Sequence, residues 1–339
     1  MTKWVPRDGD IFITRDDLVF YVFGYEHPTS RVTAFLKYIP AEHKDLFKIR
    51  FLDKTWKKGK LLLFRAEKVY TAENYNTLLE TFRKNFPVYV HRCPFRQKDV
   101  ISVALKQIKE VYTPNECLQR LFEKKRKDKL EKLASRLLSL LSRKSKVPLD
   151  EFGVHGSLAL KTHTSESDID FVVYGAKNFR RLERTVERLV KQNVLSYVFT
   201  KRLDTMRRHR GKFKDTLFVY NAVRKPEEIK VKYGMFKYFP IKPVKLYCEV
   251  LGDEEAMFRP AVYNIGNYVP VDRESVLDEN SIPNRVVSMI GYYRNAARMG
   301  NRIRVSGTLE RAERVATGKT SFQVIVGTAS SEDEYIWPL

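Results

Sequence analysis

The sequence predicts an α+β fold, and three observations carry that prediction. Residues 10–64 fall into short runs rich in aromatic and β-branched residues, the composition of strands. Residues 114–141 and 179–190 hold apolar side chains near helical spacing, as helices do that bury one face. Residues 300–327 alternate in polarity between glycines, as strands joined by turns do. With 339 residues the chain exceeds one compact domain, and about two or three are expected.

In chain order, strands are expected at Asp10 to Ile13, Leu18 to Phe23, Val32 to Leu36 and Lys60 to Phe64, with turns at Arg7 to Asp10, His27-Pro28 and Lys58-Gly59. A helix follows at Ala72 to Asn85, then an extended Pro87 to Val90, and Asp99 to Lys109 is expected to form another helical turn or two. Residues 1–110 are therefore read as a small β-rich domain. From Pro114 a long helix is expected, because proline suits the first helical turn and Leu118, Leu121, Phe122, Leu130, Leu133, Leu137, Leu140 and Leu141 recur near helical spacing. Its other face carries Lys124, Lys125, Arg126, Lys127, Lys129 and Lys132, and residues 111–148 are read as a basic linker helix ending at Pro148. A compositional change opens a third segment, 149–258, in which Phe179, Leu182, Val186, Leu189 and Val190 mark an amphipathic helix. Residues 259–339 close the chain as a β-rich region.

Lys and Arg number 63 against 41 Asp and Glu, a formal charge of +22. Such an excess suits a polyanion, and nucleic acid fits best because Lys and Arg release counterions from its phosphates. The local concentration at Arg202, Arg207, Arg208, Arg210 and Lys212 is the expected phosphate-binding edge. No run of eighteen apolar residues provides a membrane span, and the N-terminus, Met1 to Asp8, lacks the apolar core of a signal peptide. A cytoplasmic location is expected. Cys93, Cys117 and Cys248 are odd in number and lack Cys-x-x-Cys, so buried thiols are expected rather than disulfides or a zinc site.

Chemistry concentrates at His155-Gly156-Ser157 and Asp168-Ile169-Asp170-Phe171. Strand side chains repeat every two residues, so Asp168 and Asp170 share one face while Ile169 and Phe171 enter a core. Two carboxylates so close repel unless a cation lies between them, and hard oxygen ligands suit magnesium or manganese. Gly156 lets the backbone approach closely, and Ser157 offers a hydroxyl and N–H groups to a terminal phosphate. His155 and His163 flank the motif and are expected to pack or to form turns.

This pattern, a Gly-Ser turn, about ten residues and then acid-hydrophobic-acid-hydrophobic, resembles the nucleotidyltransferases of the DNA polymerase beta superfamily. The resemblance implies a mixed sheet with helices on one face, making 149–258 the catalytic domain. It implies that a hydroxyl attacks a nucleoside triphosphate (NTP or dNTP), releasing pyrophosphate, with Gly156 and Ser157 at the triphosphate and two metal ions at the acids. The family needs a third carboxylate on a neighbouring strand, and Glu249 in Val244 to Val250 is the expected one, ahead of Asp253 and Asp215. The commonest family form has Arg-Gly-Thr after the turn, whereas this chain has Leu160-Lys161-Thr162, so its phosphate positioning differs.

The last segment looks similar to the start of an OB-like barrel, with Arg302, Arg304 and Phe322 available to phosphates and bases. About forty residues are too few for five strands, so either earlier strands near Ala261 to Val271 join it or the likeness is partial. Three functions remain in view: nucleotide addition to a nucleic-acid end, an inactive nucleotidyltransferase scaffold that binds nucleic acid, and nucleotide transfer onto a protein.

Overall fold

A computed structural model describes residues 4–68 and 71–339. Met1 to Lys3, part of the N-terminal stretch considered for a signal peptide, lie outside the described residues. The first sheet contains β1 (Ile11–Thr14), β2 (Val19–Val22), β3 (Arg31–Pro40), β4 (Trp56–Lys58), β5 (Leu61–Phe64), β6 (Val90–Cys93), β7 (Lys98–Ala104) and β8 (Ile108–Tyr112), with helix α1 (Ala72–Asn85) beside it. Its order is β4-β5-β3-β2-β1-β8, and β7 joins β3 to β6. Ile11 and Ile13 of β1 enter one core while Phe12 enters another with Phe20, Phe82 and Tyr89. Burial on both faces explains why β1 and β2 read as continuous apolar runs. The helical turns expected within Asp99 to Lys109 are replaced by β7, a single 3-10 turn and β8, since Val100, Ile101 and Val103 favour a pleated surface.

The expected long helix is two helices, α2 (Pro114–Glu123) and α3 (Lys129–Ser145). Lys124 to Lys127 crowd four cations into one turn, and Asp128 then starts α3 with a capping box: its carboxylate accepts from Glu131 N at 2.9 Å, and Glu131 accepts from Asp128 N at 3.0 Å. Neither helix is a linker. Leu118, Leu121, Leu130, Ala134, Leu137, Leu138 and Leu141 share a core with Phe152, Ile169 and Phe171 of the following sheet.

That second sheet has the order β11-β12-β13-β10-β9, formed by β9 (Phe152–Val154), β10 (Ile169–Tyr174), β11 (Leu195–Tyr197), β12 (Arg210–Phe213) and β13 (Thr216–Val223), with helices α4 (Gly156–Leu160), α5 (Ala176–Lys191) and α6 (Arg202–Arg207) in the connections. The β10–β13 pair is parallel and the other pairs are antiparallel, so the sheet is mixed. The third sheet begins earlier than the boundary at 258, with β14 (Phe236–Glu255), and continues through β15 (Ala261–Pro270), β16 (Arg285–Ser288), β17 (Arg302–Arg314), β18 (Thr320–Val326) and β19 (Tyr335–Pro338). Because β14 also pairs with β17, the order β14-β15-β16-β18-β17 closes on itself as a five-stranded barrel, with β19 on the flank of β17. No helix among the described residues is long and apolar enough to cross a membrane.

Candidate functional site

The Gly-Ser turn joins β9 to α4, and it meets β10 where the acidic doublet lies. His155 N donates to Asp170 O at 2.9 Å. Gly156 has φ +62°, and a Cβ there would stand 2.2 Å from Asp170 Oδ2. Only glycine tolerates both the left-handed backbone and that approach. Ser157 is buried in the first turn of α4. Asp168 and Asp170 are each half-buried, while Ile169 and Phe171 fill the core, as the period of two requires.

Burial first, and then the Asp168 charge, raise the Asp170 carboxyl to about 7, while Lys37, Arg65 and Arg210 pull it the other way. Arg210 reaches this face through the sheet, since Arg210 pairs with Val219 and Val219 with Asp170. Lys37 of β3 and Arg65 after β5 come from the N-terminal sheet. Burial lowers the Lys37 ammonium to about 7, Arg65 adds to that, and Asp170 opposes it. The Nε atoms of Arg65 and Arg210 are buried with no hydrogen-bond partner. Asp170, beside Asp168, therefore lies within range of the charges of three cations, an arrangement that can receive a cation together with a polyphosphate.

Lys37 and Arg65 escaped the sequence reading. A signal existed: Lys37 interrupts the apolar run of β3, and a charged residue inside a core strand marks a special site.

Glu249 lies on a strand of a different sheet from the doublet. Its strand, β14, belongs to the barrel, where Glu249 pairs across to Gly266 and Arg302 and accepts from Asn267 Nδ2 at 2.9 Å. The third acid was expected on a strand beside β10, but β13 sets Phe218 and Val219 opposite Ile169 and Asp170 and carries no acid. Asp253 is paired with Arg180 at 2.9 Å. Of the five cations expected at phosphates, Arg210 faces Asp170, and Arg202 and Lys212 are exposed. Arg208 pairs with Glu187 at 3.3 Å. Arg207 departs from expectation: it is buried, and it donates to the carbonyls of Arg294 and Gly291, so its guanidinium is held inside the fold.

Among the described residues, one group of three potential metal ligands stands close together: Asp128, Glu131 and His163. The capping box engages both acids, Lys124 Nζ donates to the two Glu131 oxygens at 2.6 and 2.7 Å, and His163 Nε2 lies 2.8 Å from Asp128 Oδ2. The start of α3 accounts for this cluster without a metal. His155 packs edge-on against Tyr21, with ring centroids 4.9 Å apart, and burial lowers its pKa to about 3.

Residues 123–231 match the nucleotidyltransferase domain family. This span contains the turn, the doublet and Arg210, and it stops before β14. An uncharacterized protein of Methanocaldococcus jannaschii is 28% identical, with 97% of this chain and 98% of the relative covered. No solved structure gives a significant match.

Proposed function

From a chain that carries a nucleotidyltransferase domain over residues 123–231, we propose transfer of a nucleoside monophosphate from a triphosphate to a nucleic-acid end, with release of pyrophosphate. One observation carries the reading: Asp170 lies against Gly156 beside Asp168, and the charges of Lys37, Arg65 and Arg210 act on its carboxyl. Asp168 and Asp170 would hold magnesium or manganese, for which paired carboxylate oxygens suffice when phosphate and water complete the shell. When bound, that ion neutralises phosphate charge and favours the ionised acceptor hydroxyl. Lys37, Arg65 and Arg210 would bind the triphosphate oxygens, with Gly156 and Ser157 lining the same end. The N-terminal sheet thus completes the nucleotide site and excludes water from one side of it. The net charge supports a nucleic-acid acceptor over a protein one.

The absence of an acid on β13 favours a second reading, a nucleotide-binding scaffold that docks nucleic acid without transfer. Incubation with labelled NTPs or dNTPs, magnesium or manganese, and DNA or RNA ends decides between them. Incorporation that Asp170→Ala abolishes supports transfer. Metal-dependent nucleotide binding without incorporation supports the scaffold, and the absence of both binding and incorporation overturns the two readings together.

A further inference from the structure

On the barrel, Ile303, Val305, Leu246, Cys248 and Ile336 point inward and are fully buried. Their neighbours in sequence therefore point outward. Tyr247 stands opposite Arg304, and Arg304 opposite Trp337, so one row crosses β14, β17 and β19. The Arg302 and Arg304 guanidinium groups lie 5.5 and 5.7 Å from the Tyr247 ring centroid, and Arg304 also lies 6.0 Å from that of Tyr335. Arg304 Nε is buried with no hydrogen-bond partner. The row continues onto the catalytic unit, where Arg202 of α6 stacks 5.3 Å over Trp337.

We infer that this aromatic and arginine face of the barrel holds the single-stranded segment of the acceptor that leads to Asp168 and Asp170. The inference rests on the nucleic-acid reading above. Aromatic rings accept bases of any identity by stacking, and arginines beside them neutralise the backbone. A duplex hides its base faces, so the platform suits unpaired strands. Placement supports the role. Arg202 at the platform and Arg210 facing Asp170 are joined by α6 and the start of β12, a path of at most about 18 Å at helical and extended rises. Residues 236–339 hold 13 Lys and Arg against 13 Asp and Glu, so attraction here is local and stacking contributes the rest. Glu249 flanks the row beside Arg302 and is held by Asn267. Phe322 lies against the barrel core and does not belong to the platform.

Fluorescence anisotropy of labelled single-stranded and duplex oligonucleotides of one sequence, as DNA and as RNA, tests this on the full chain without nucleotide. The wild-type protein is expected to prefer single strands, and the Tyr247→Ala/Trp337→Ala variant to bind them about ten-fold or more weakly. The Arg202→Gln/Arg304→Gln variant, which leaves both rings in place, is expected to weaken binding as well. Metal-dependent nucleotide binding is expected to be unchanged in both, which also reports that they fold. Wild-type affinity in both variants overturns the inference and leaves the nucleic-acid reading standing. Failure of the wild-type protein to bind any oligonucleotide overturns the two together.

Discussion

Gly156 shows how one residue type can be dictated by two independent constraints. Its φ of +62° disfavours a side chain, and the 2.2 Å approach to Asp170 Oδ2 leaves no room for one. Gly156→Ala is expected to displace Asp170 and cost on the order of 1–3 kcal/mol, the range for strained left-handed backbone. Urea denaturation and magnesium-dependent nucleotide binding measure the two effects separately. Histidines supply a second test. Burial lowers His27 to about 4 and His209 to about 2, from an ordinary value near 6.5. Both are neutral in the fold while the unfolded chain takes up protons below pH ~6.5, so their contribution is complete above that pH and is lost as pH falls toward the folded values. Between pH 7 and pH 5 each histidine is expected to contribute a loss on the order of 1–2 kcal/mol, while the carboxyls of Asp10 and Asp170, raised to about 7, shift stability the opposite way over the same range. The histidine contribution is therefore read as the difference in stability to urea between the wild-type protein and His209→Phe, a difference expected to change by that amount from pH 7 to pH 5.

At the scale of elements, the start of α3 separates two explanations of one cluster. As a capping box, Asp128 satisfies backbone N–H groups that the helix itself leaves unpaired. Asp128→Ala is then expected to destabilise the protein by about 1 kcal/mol. Chelators and added zinc are expected to leave the melting temperature of the wild-type protein unchanged, whereas a clear shift would show that a metal binds there. The β14 strand makes a related point. Its alternation is sound, with Val244, Leu246, Cys248 and Val250 all buried. That alternation says nothing about which sheet a strand joins, because inward and outward positions repeat identically in a barrel and in a mixed sheet. Glu249 was therefore legible as an outward-facing acid on a strand, while its neighbours were not.

Across the whole molecule, charge is divided unevenly. Residues 1–235 hold 50 Lys and Arg against 28 Asp and Glu, which accounts for the entire +22, and the remainder of the chain is formally neutral. Two packed helices concentrate part of it: α3 exposes Lys129, Lys132, Arg136 and Arg143, and α5 exposes Lys177, Arg181, Arg184 and Arg188, each in steps of three, four or seven along one face. With a nucleic-acid acceptor, Lys132→Glu/Arg136→Glu/Arg181→Glu/Arg184→Glu is expected to reduce the salt dependence of oligonucleotide binding. The slope of log affinity against log salt should shrink by about 0.9 for each duplex-DNA phosphate that is no longer neutralised, or about 0.7 on a single strand. An unchanged slope would place the phosphate-binding cations elsewhere. The segments also interlock: Asp8, before β1, accepts from Arg259 Nε at 2.7 Å in a buried ion pair that joins the N-terminal unit to the barrel region.

The sequence by itself determined the acidic doublet, its glycine turn, the nucleotidyltransferase resemblance and most elements of the α+β fold. Each of these depends on neighbours within a few residues, whose periodicity is fixed by backbone geometry. Tertiary structure alone decided that α2 and α3 share the core of the second sheet, that Glu249 lies in the barrel, and that the charges of Lys37 and Arg65 act on Asp170 from the N-terminal sheet. Those outcomes depend on which buried surfaces meet, and residues 37 and 170 come together only when two sheets share one core.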